Sequence, residues 1–309
     1  MNSVVVLLLL AFAAGASAQC PPCKTMKSAI CDGDPCTCTL QVGKDEKQTL
    51  DCEKLLPKCF LMMAEMQQNR AKAGRFLGKP TEDAIVDNDG IYDPECESTG
   101  TFKALQCNNT EECWCVNSAG VRRTDKSDKS LKCDKLVETY WVRLQLKHKE
   151  IPNYEMNEEE LKTALQTAIK DRYRMPQEIV DSMEMMYDKD ARLIVLDLKK
   201  EKDDKEKDLS GIAYYMEKDV KQKSLFHGDG KFEPEVGGNK VEMEDILVHY
   251  VDAEPPTFTM RRLTGGVIAV IVVVVLAVIA GLLVVYFANK RDKARYQKTH
   301  VRELDEMPK

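Results

Sequence analysis

Cysteine is the residue with the most chemistry to offer in this chain. All 12 cysteines of the 309 residues lie between Cys20 and Cys133. Several are closely spaced, as Cys20-Pro-Pro-Cys23, Cys36-Thr-Cys38 and Cys113-Trp-Cys115. Three chemistries use such spacing: a Cys-x-x-Cys dithiol that shuttles electrons, half of a tetrahedral zinc site, or structural disulfides in an oxidising compartment. The first histidine is His148, so zinc would have to be held by cysteines alone. The choice rests on the compartment, and hence on the segments that place the chain there.

Two apolar segments decide it. Val4 to Ala14 has the length of a secretory h-region, and Ala16-Ser17-Ala18 fits the small-x-small cleavage rule. Residues 1–18 therefore read as a signal peptide, leaving Gln19 first in the mature chain; the run is too short to span a bilayer comfortably. Val267 to Ala288 is longer and has no polar stripe. As a helix it would reach ~33 Å, enough for the hydrocarbon core. Residues 263–288 are predicted to be a transmembrane helix. Lys290, Arg291, Lys293 and Arg295 follow it as a stop-transfer cluster, and they outweigh Arg261 and Arg262 on the other side. The expected topology is type I single-pass, with residues 289–309 in the cytosol.

The charges divide along the same lines. The chain carries a net −6, which separates into −9 for residues 20–262 and +3 for the tail from Asn289. An acidic body gives no support to direct nucleic acid binding. Outside the cell, 12 cysteines imply six disulfides and no metal. They fall into two groups of six, Cys20 to Cys52 and Cys59 to Cys133, each in a unit too small to rely on its own core. Spacing alone leaves 15 connectivities per unit.

The second unit carries a specific pattern. Tyr92-Asp93-Pro94-Glu95-Cys96 leads to Gly100-Thr101-Phe102, then Gln106-Cys107, Cys113-Trp114-Cys115-Val116 and Gly120. This resembles the thyroglobulin type-1 domain, whose signature maps onto Gln106, Cys107, Cys113, Trp114, Cys115, Val116 and Gly120. The resemblance implies bridges Cys59–Cys96, Cys107–Cys113 and Cys115–Cys133. Some such domains wedge loops into papain-like cysteine proteases, so an alternative function is a membrane-tethered inhibitor of those enzymes; a structural or adhesive module is the other reading. Asp87-Asn88-Asp89-Gly90 is a turn, because an EF-hand register would put Ile85 and Cys96 at its first and last ligand positions. Asn108-Asn109-Thr110 is the one N-glycosylation sequon, which makes Asn108 the expected glycan site.

Residues 134–262 lack cysteine and read as an α+β domain. Tyr140, Val142, Leu144 and Leu146 alternate with polar neighbours as a half-buried strand. Asn157 and Glu160 form a capping box before a helical stripe of Leu161, Ala164, Leu165, Ala168 and Ile169. Met175-Pro176 ends that helix and a shorter one follows. Further strands are expected at Leu193 to Leu198, Phe232 to Val236 and Ile246 to Val251, and a helix at Ile212 to Val220. Lys199 to Asp208 should be a solvated loop. No nucleophile motif, phosphate loop or metal spacing occurs, so neither an enzyme nor a cofactor is expected.

The full layout resembles the epithelial cell adhesion molecule family. The most specific stretches are Val121 to Lys126, Thr139-Tyr140-Trp141, Leu146 to Lys149, Glu217 to Lys221, Ser224 to His227 and Gly266 to Val275. The resemblance implies Cys20–Cys36, Cys23–Cys52 and Cys31–Cys38 in the first unit. It sets out the chain as signal peptide 1–18, N-terminal cysteine-rich domain 19–58, thyroglobulin type-1 domain 59–133, α+β domain 134–262, transmembrane helix 263–288 and cytoplasmic tail 289–309. It implies a plasma-membrane protein of lateral epithelial junctions. It also implies a cis-dimer, with trans contacts possible between cells, in which the thyroglobulin loop docks on the partner's cysteine-free domain. Signalling would proceed through a sheddase, an intramembrane protease and cytosolic or nuclear partners of the tail. The family's loop often carries an Arg-Arg pair cut by trypsin-like proteases; here the basic residues are single, which makes Arg70, Arg75 and Lys79 the candidate positions.

Overall fold

A computed structural model describes residues 20–73, 92–108, 111–152, 154–221, 224–228, 230–258 and 265–305. The signal peptide, Arg75, Lys79, the Asp87-to-Gly90 turn, Arg261 and Arg262 lie outside the described residues. Residues up to Thr257 form one compact unit, and the chain from Phe258 forms a second.

Residues 20–52 are stapled into a three-stranded antiparallel meander of β1 (Ile30–Asp32), β2 (Thr37–Gln41) and β3 (Lys47–Leu50). A helix that the cysteine pattern did not announce follows, α1 (Lys58–Ala73). Then come the short antiparallel pair β4 (Leu105–Cys107) and β5 (Cys113–Cys115), in which Cys107 stands opposite Cys113.

The cysteine-free half is α+β, built on a sheet of four antiparallel strands. β6 (Thr139–His148) and β8 (Leu193–Lys199) are central, with β11 (Met243–Asp252) and β7 (Glu184–Asp188) at the edges, in the order β11-β6-β8-β7. Side chains alternate across the pleat, so Val142, Leu144 and Leu146 of β6 and Ile194, Leu196 and Leu198 of β8 face inward, where all six are fully buried. Helices α2 (Glu158–Tyr173), α3 (Gln177–Asp181) and α4 (Leu209–Lys221) join this core.

The ends of α2 follow from local chemistry. The Asn157 side chain accepts hydrogen bonds from the backbone N–H of Glu159 and Glu160 at 3.0 and 3.1 Å, relieving two of the four orphan donors of the first turn. Glu158, Glu159 and Glu160 sit at its positive end, and Lys170 and Arg172 in its last turn. Leu161, Leu165, Ile169 and Tyr173 recur every four residues and are fully buried. Arg174 caps the helix in a left-handed conformation (φ 52°), and Pro176 then prevents its continuation.

One expected strand is placed differently. Phe232 to Val236 does not enter the sheet: only Glu235–Val236 (β9) is extended, and it pairs with Asn239–Lys240 (β10) in a separate hairpin around Gly237 and Gly238, both at positive φ. Pro234 offers no N–H to a ladder, and Phe232 is buried against Tyr173, with ring centroids 5.7 Å apart. The fourth strand is β7, whose Glu-Met-Met-Tyr-Asp sequence alternates in exposure without the β-branched residues that announce a strand.

The second unit is the helix α5 (Gly265–Asp305). Its stretch Ala269–Arg291 is long and apolar enough to cross a membrane. The helix continues past residue 288 through the basic cluster at Lys290, Arg291, Lys293 and Arg295.

Packing at native density makes the inner sheet face intolerant of lost volume. Leu144→Ala should lower the unfolding free energy by ~2–5 kcal/mol, whereas Thr163→Ala on the exposed side of α2 should change it by under about 0.5 kcal/mol. Urea denaturation of the secreted ectodomain checks both.

Candidate functional site

Helices cover one face of the four-stranded sheet; the residues of its other face are not part of that core. Register brings them into rows. Leu247, Gln145, Val195 and Met186 stand side by side across the four strands. The next row is His249, Arg143, Asp197 and Glu184, followed by Val251, Trp141 and Lys199. At ~4.8 Å per strand, such a row spans about 14 Å. Leu247 is 49% exposed and Met186 54%. Apolar side chains are thus left in water on both edge strands.

The middle row is rigid. Arg143 grips Asp197 with two parallel hydrogen bonds, Nε and Nη2 each donating at 2.7 Å, and Trp141 Nε1 donates to the same carboxylate at 2.9 Å. Asp197 is consequently only 4% exposed although it lies on the open side. The Arg143 guanidinium holds its carboxyl below the usual carboxylate range. The Trp141 ring carries two cations, Arg143 at 5.1 Å and Lys199 at 5.2 Å from its centroid, and Lys199 in turn pairs with Glu184 at 2.8 Å. Fixed charges therefore stand in the row next to Leu247 and Met186.

The thyroglobulin-like signature serves its own fold. Gln106 is fully buried; its amide donates to the carbonyls of Glu95 (2.9 Å) and Lys103 (2.7 Å) and its oxygen accepts from Glu95 N–H (2.7 Å). Trp114 meets Tyr92 edge-to-face at 5.4 Å, and Val116 is buried beside them. Gly120 has φ 76°, and a Cβ there would lie 2.5 Å from the Phe102 ring. The six disulfides of the structure are Cys20–Cys36, Cys23–Cys52, Cys31–Cys38, Cys59–Cys96, Cys107–Cys113 and Cys115–Cys133. Asn108 sits inside the Cys107–Cys113 loop, half-buried, with its amide donating to Glu112 at 3.3 Å. Arg70 lies in the last turn of α1, just before the undescribed segment.

Sequence reasoning passed over a seam behind the open face. Lys58, at the start of α1, donates to the Tyr250 hydroxyl at 3.3 Å and lies over the rings of Tyr250 (4.3 Å) and Tyr214 (5.7 Å). It forms no ion pair among the described residues, and burial pushes its ammonium down to about 8. Tyr214 donates to Glu65 at 2.5 Å, which also takes Lys218 at 2.8 Å. The tyrosines are pushed up by burial and by the neighbouring carboxylates. A helical stripe on α1 was the available signal, masked by its many polar residues.

Comparison with known proteins bears on both halves. The thyroglobulin type-1 repeat profile matches residues 59–134, and the EPCAM/Trop-2, C-terminal profile matches residues 139–252. The chain is 40% identical to tumor-associated calcium signal transducer 2 of Homo sapiens over 315 residues, covering 99% of this chain and 94% of that protein. It is 42% identical to epithelial cell adhesion molecule of Mus musculus over 277 residues (88% and 84%), and 43% identical to that of Homo sapiens over 279 residues (88% and 84%).

Lys58 makes the seam pH-dependent. Between pH 8 and the ordinary lysine value of 10.5, the unfolded chain holds this proton and the folded chain does not. Unfolding then takes up a proton, so the Lys58 contribution to stability rises with pH through this window. Above pH 10 the buried tyrosines oppose it, because they stay protonated only in the folded state. Thermal melts from pH 7.5 to 9.5 should show a steeper rise for the parent chain than for Lys58→Met.

Proposed function

The chain belongs to the EPCAM/Trop-2 family, a family of adhesion and signal-transducing proteins rather than enzymes, and from that premise we propose that it is a type I cell-surface glycoprotein acting as a homophilic epithelial adhesion molecule and signalling receptor. The observation that carries this reading is the open sheet face, with Leu247 and Met186 exposed around a fixed Trp141–Arg143–Asp197 centre. A surface of this kind on a secreted, acidic body suits a second copy of the same chain. Like charge elsewhere resists nonspecific association, so pairing requires a local apolar patch.

In this mechanism two copies lie side by side on one membrane. The thyroglobulin loop of each copy docks on the cysteine-free domain of the other, so the contact is isologous and each docking event is made twice. A stable pair of this kind buries more than ~1,000 Å² in total. α5 anchors both copies through Ala269–Arg291, with its basic cluster on the cytosolic side. Gly265, Ala269, Ala277 and Gly281 offer small faces on which the helices pair. Lateral junctions between epithelial cells are the place where such pairs bring opposing membranes together. Shedding of the ectodomain, cleavage within the membrane and release of the tail to cytosolic or nuclear partners would then end adhesion and start signalling. The domain boundaries set out above, Asn108 as glycan site and loop cleavage at Arg70, Arg75 or Lys79 belong to the same proposal.

Sedimentation equilibrium of the secreted ectodomain tests it. The parent should dimerise at micromolar concentration, and the pair Leu247→Arg and Met186→Glu should weaken association by at least tenfold with an unchanged circular dichroism spectrum. A strictly monomeric parent at high micromolar concentration would overturn ectodomain-driven pairing.

A further inference from the structure

Two disulfides of the N-terminal unit lie side by side. The sulfurs of Cys23, Cys38 and Cys52 are within 4.8 Å of one another, although Cys23 is bonded to Cys52 and Cys38 to Cys31. A disulfide sulfur offers no thiolate to a metal ion, so the cluster is not a metal site while these bonds stand. We propose that Cys38 is the pivot of a thiol–disulfide exchange site, at which an extracellular dithiol opens Cys31–Cys38 and the released Cys38 thiolate displaces one sulfur of Cys23–Cys52.

Three features of the unit support this. Cys31 and Cys38 stand directly opposite each other on β1 and β2, and both are partly exposed. Their bridge spans 7 residues, against 16 and 29 for the other two bridges of the unit, so it takes the least stabilisation from loop closure. β2 is also the central strand, which holds Cys38 in place after the bond opens. From 4.8 Å, the freed sulfur must advance by roughly 2.7 Å to reach bonding distance, a displacement that one side-chain rotamer change supplies.

The chemistry balances. A thiolate of the dithiol attacks Cys31 Sγ, the Cys31–Cys38 bond breaks, and Cys38 leaves as thiolate. The second thiol of the reductant then attacks the mixed disulfide, closing the reductant into its own disulfide and releasing Cys31, which takes up a proton. The reductant has lost two electrons and the cysteine pair has gained them. In the exchange itself Cys38 bonds to Cys52 or Cys23, the Cys23–Cys52 bond breaks, and the other sulfur leaves as thiolate, with no net change in electrons.

The consequence reaches beyond the unit. Cys23 precedes Lys24, whose carbonyl accepts the His227 N–H at 3.0 Å, and Lys27 N–H donates to the Leu225 carbonyl at 2.8 Å. Release of Cys23 therefore loosens the segment that seats the N-terminal unit on the cysteine-free half.

The test uses the full chain in detergent micelles. Cys31→Ser leaves Cys38 as a thiol with no reductant needed. After an acid quench, maleimide labelling and peptide mass spectrometry should find the label distributed over Cys38, Cys23 and Cys52, about one third each if the three pairings are equally stable. Label confined to Cys38 overturns the proposal. The unsubstituted chain under limiting dithiothreitol decides independently if the variant does not fold. Its first labelled pair should be Cys31 with Cys23 or with Cys52. A first pair of Cys31 with Cys38, with Cys23–Cys52 intact, or a first opening at any other bridge, overturns it.

Discussion

Burial of α4 from all sides is the constraint on which the rest of the structure depends. Eleven of its 13 residues are buried, including Lys218 and Asp219. A helix enclosed in this way cannot leave its polar groups to water, and their partners must come from protein; among the described residues Asp219 Oδ1 alone finds none. Most of the partners come from other parts of the chain. Lys218 and Tyr214 take Glu65 of α1. Tyr215 donates to the Thr25 carbonyl at 3.0 Å and accepts from Leu56 N–H at 3.3 Å, both in the N-terminal segment. Asp219 accepts from Arg172 at 2.6 Å and from Tyr173 at 2.7 Å, both at the end of α2. The disulfide-stapled segments and the sheet domain thus close around a single helix, and the polar groups of that helix define how they meet.

The other end of the sheet is held by a carboxylate. Asp252, the last residue of β11, accepts from Arg123 (2.8 Å), Asn117 (2.7 Å) and Thr139 (3.0 Å). Arg123 Nη2 also reaches the carbonyls of Glu254 and Pro255, and Thr257 N–H donates to the Arg123 carbonyl. The chain leaving β11 is therefore pinned by the segment that follows the thyroglobulin signature. The Arg123–Asp252 pair is nearly buried, so removing either partner leaves an uncompensated charge in the interior. With α4 on one side of the sheet and this pin at its end, the remaining face stays uncovered, and the geometry of that face is inherited from both.

Much of this was legible in order along the chain. The capping residue Asn157, the stripe of α2, the strands at β6, β8 and β11 and the apolar span of α5 are local patterns with a period of 2 or 3.6 residues, and each occurs where the pattern puts it. Several elements were not legible, α1 among them. β7 lacks the branched residues of a typical strand and owes its place to pairing with β8, while Phe232 to Val236 has strand-like composition but contains Pro234 and turns its phenylalanine into the helix layer. The signature residues Gln106, Trp114 and Gly120 were visible as a motif, yet only their contacts show that they build the unit's own core.

By itself the sequence determined the α+β class, the division into a cysteine-rich and a cysteine-free half and an apolar run long enough to cross a membrane, because apolar run length, residue order and periodicity are properties of neighbours along a chain. Tertiary structure decided what depends on neighbours in space. It decided which of 15 pairings each cysteine unit takes, how a lysine in α1 comes to lie over Tyr250, and which sheet face stays uncovered. Cys38 shows the difference most plainly: the sequence separates it from Cys23 and Cys52 by about 14 residues on either side, and folding brings the three sulfurs within 4.8 Å.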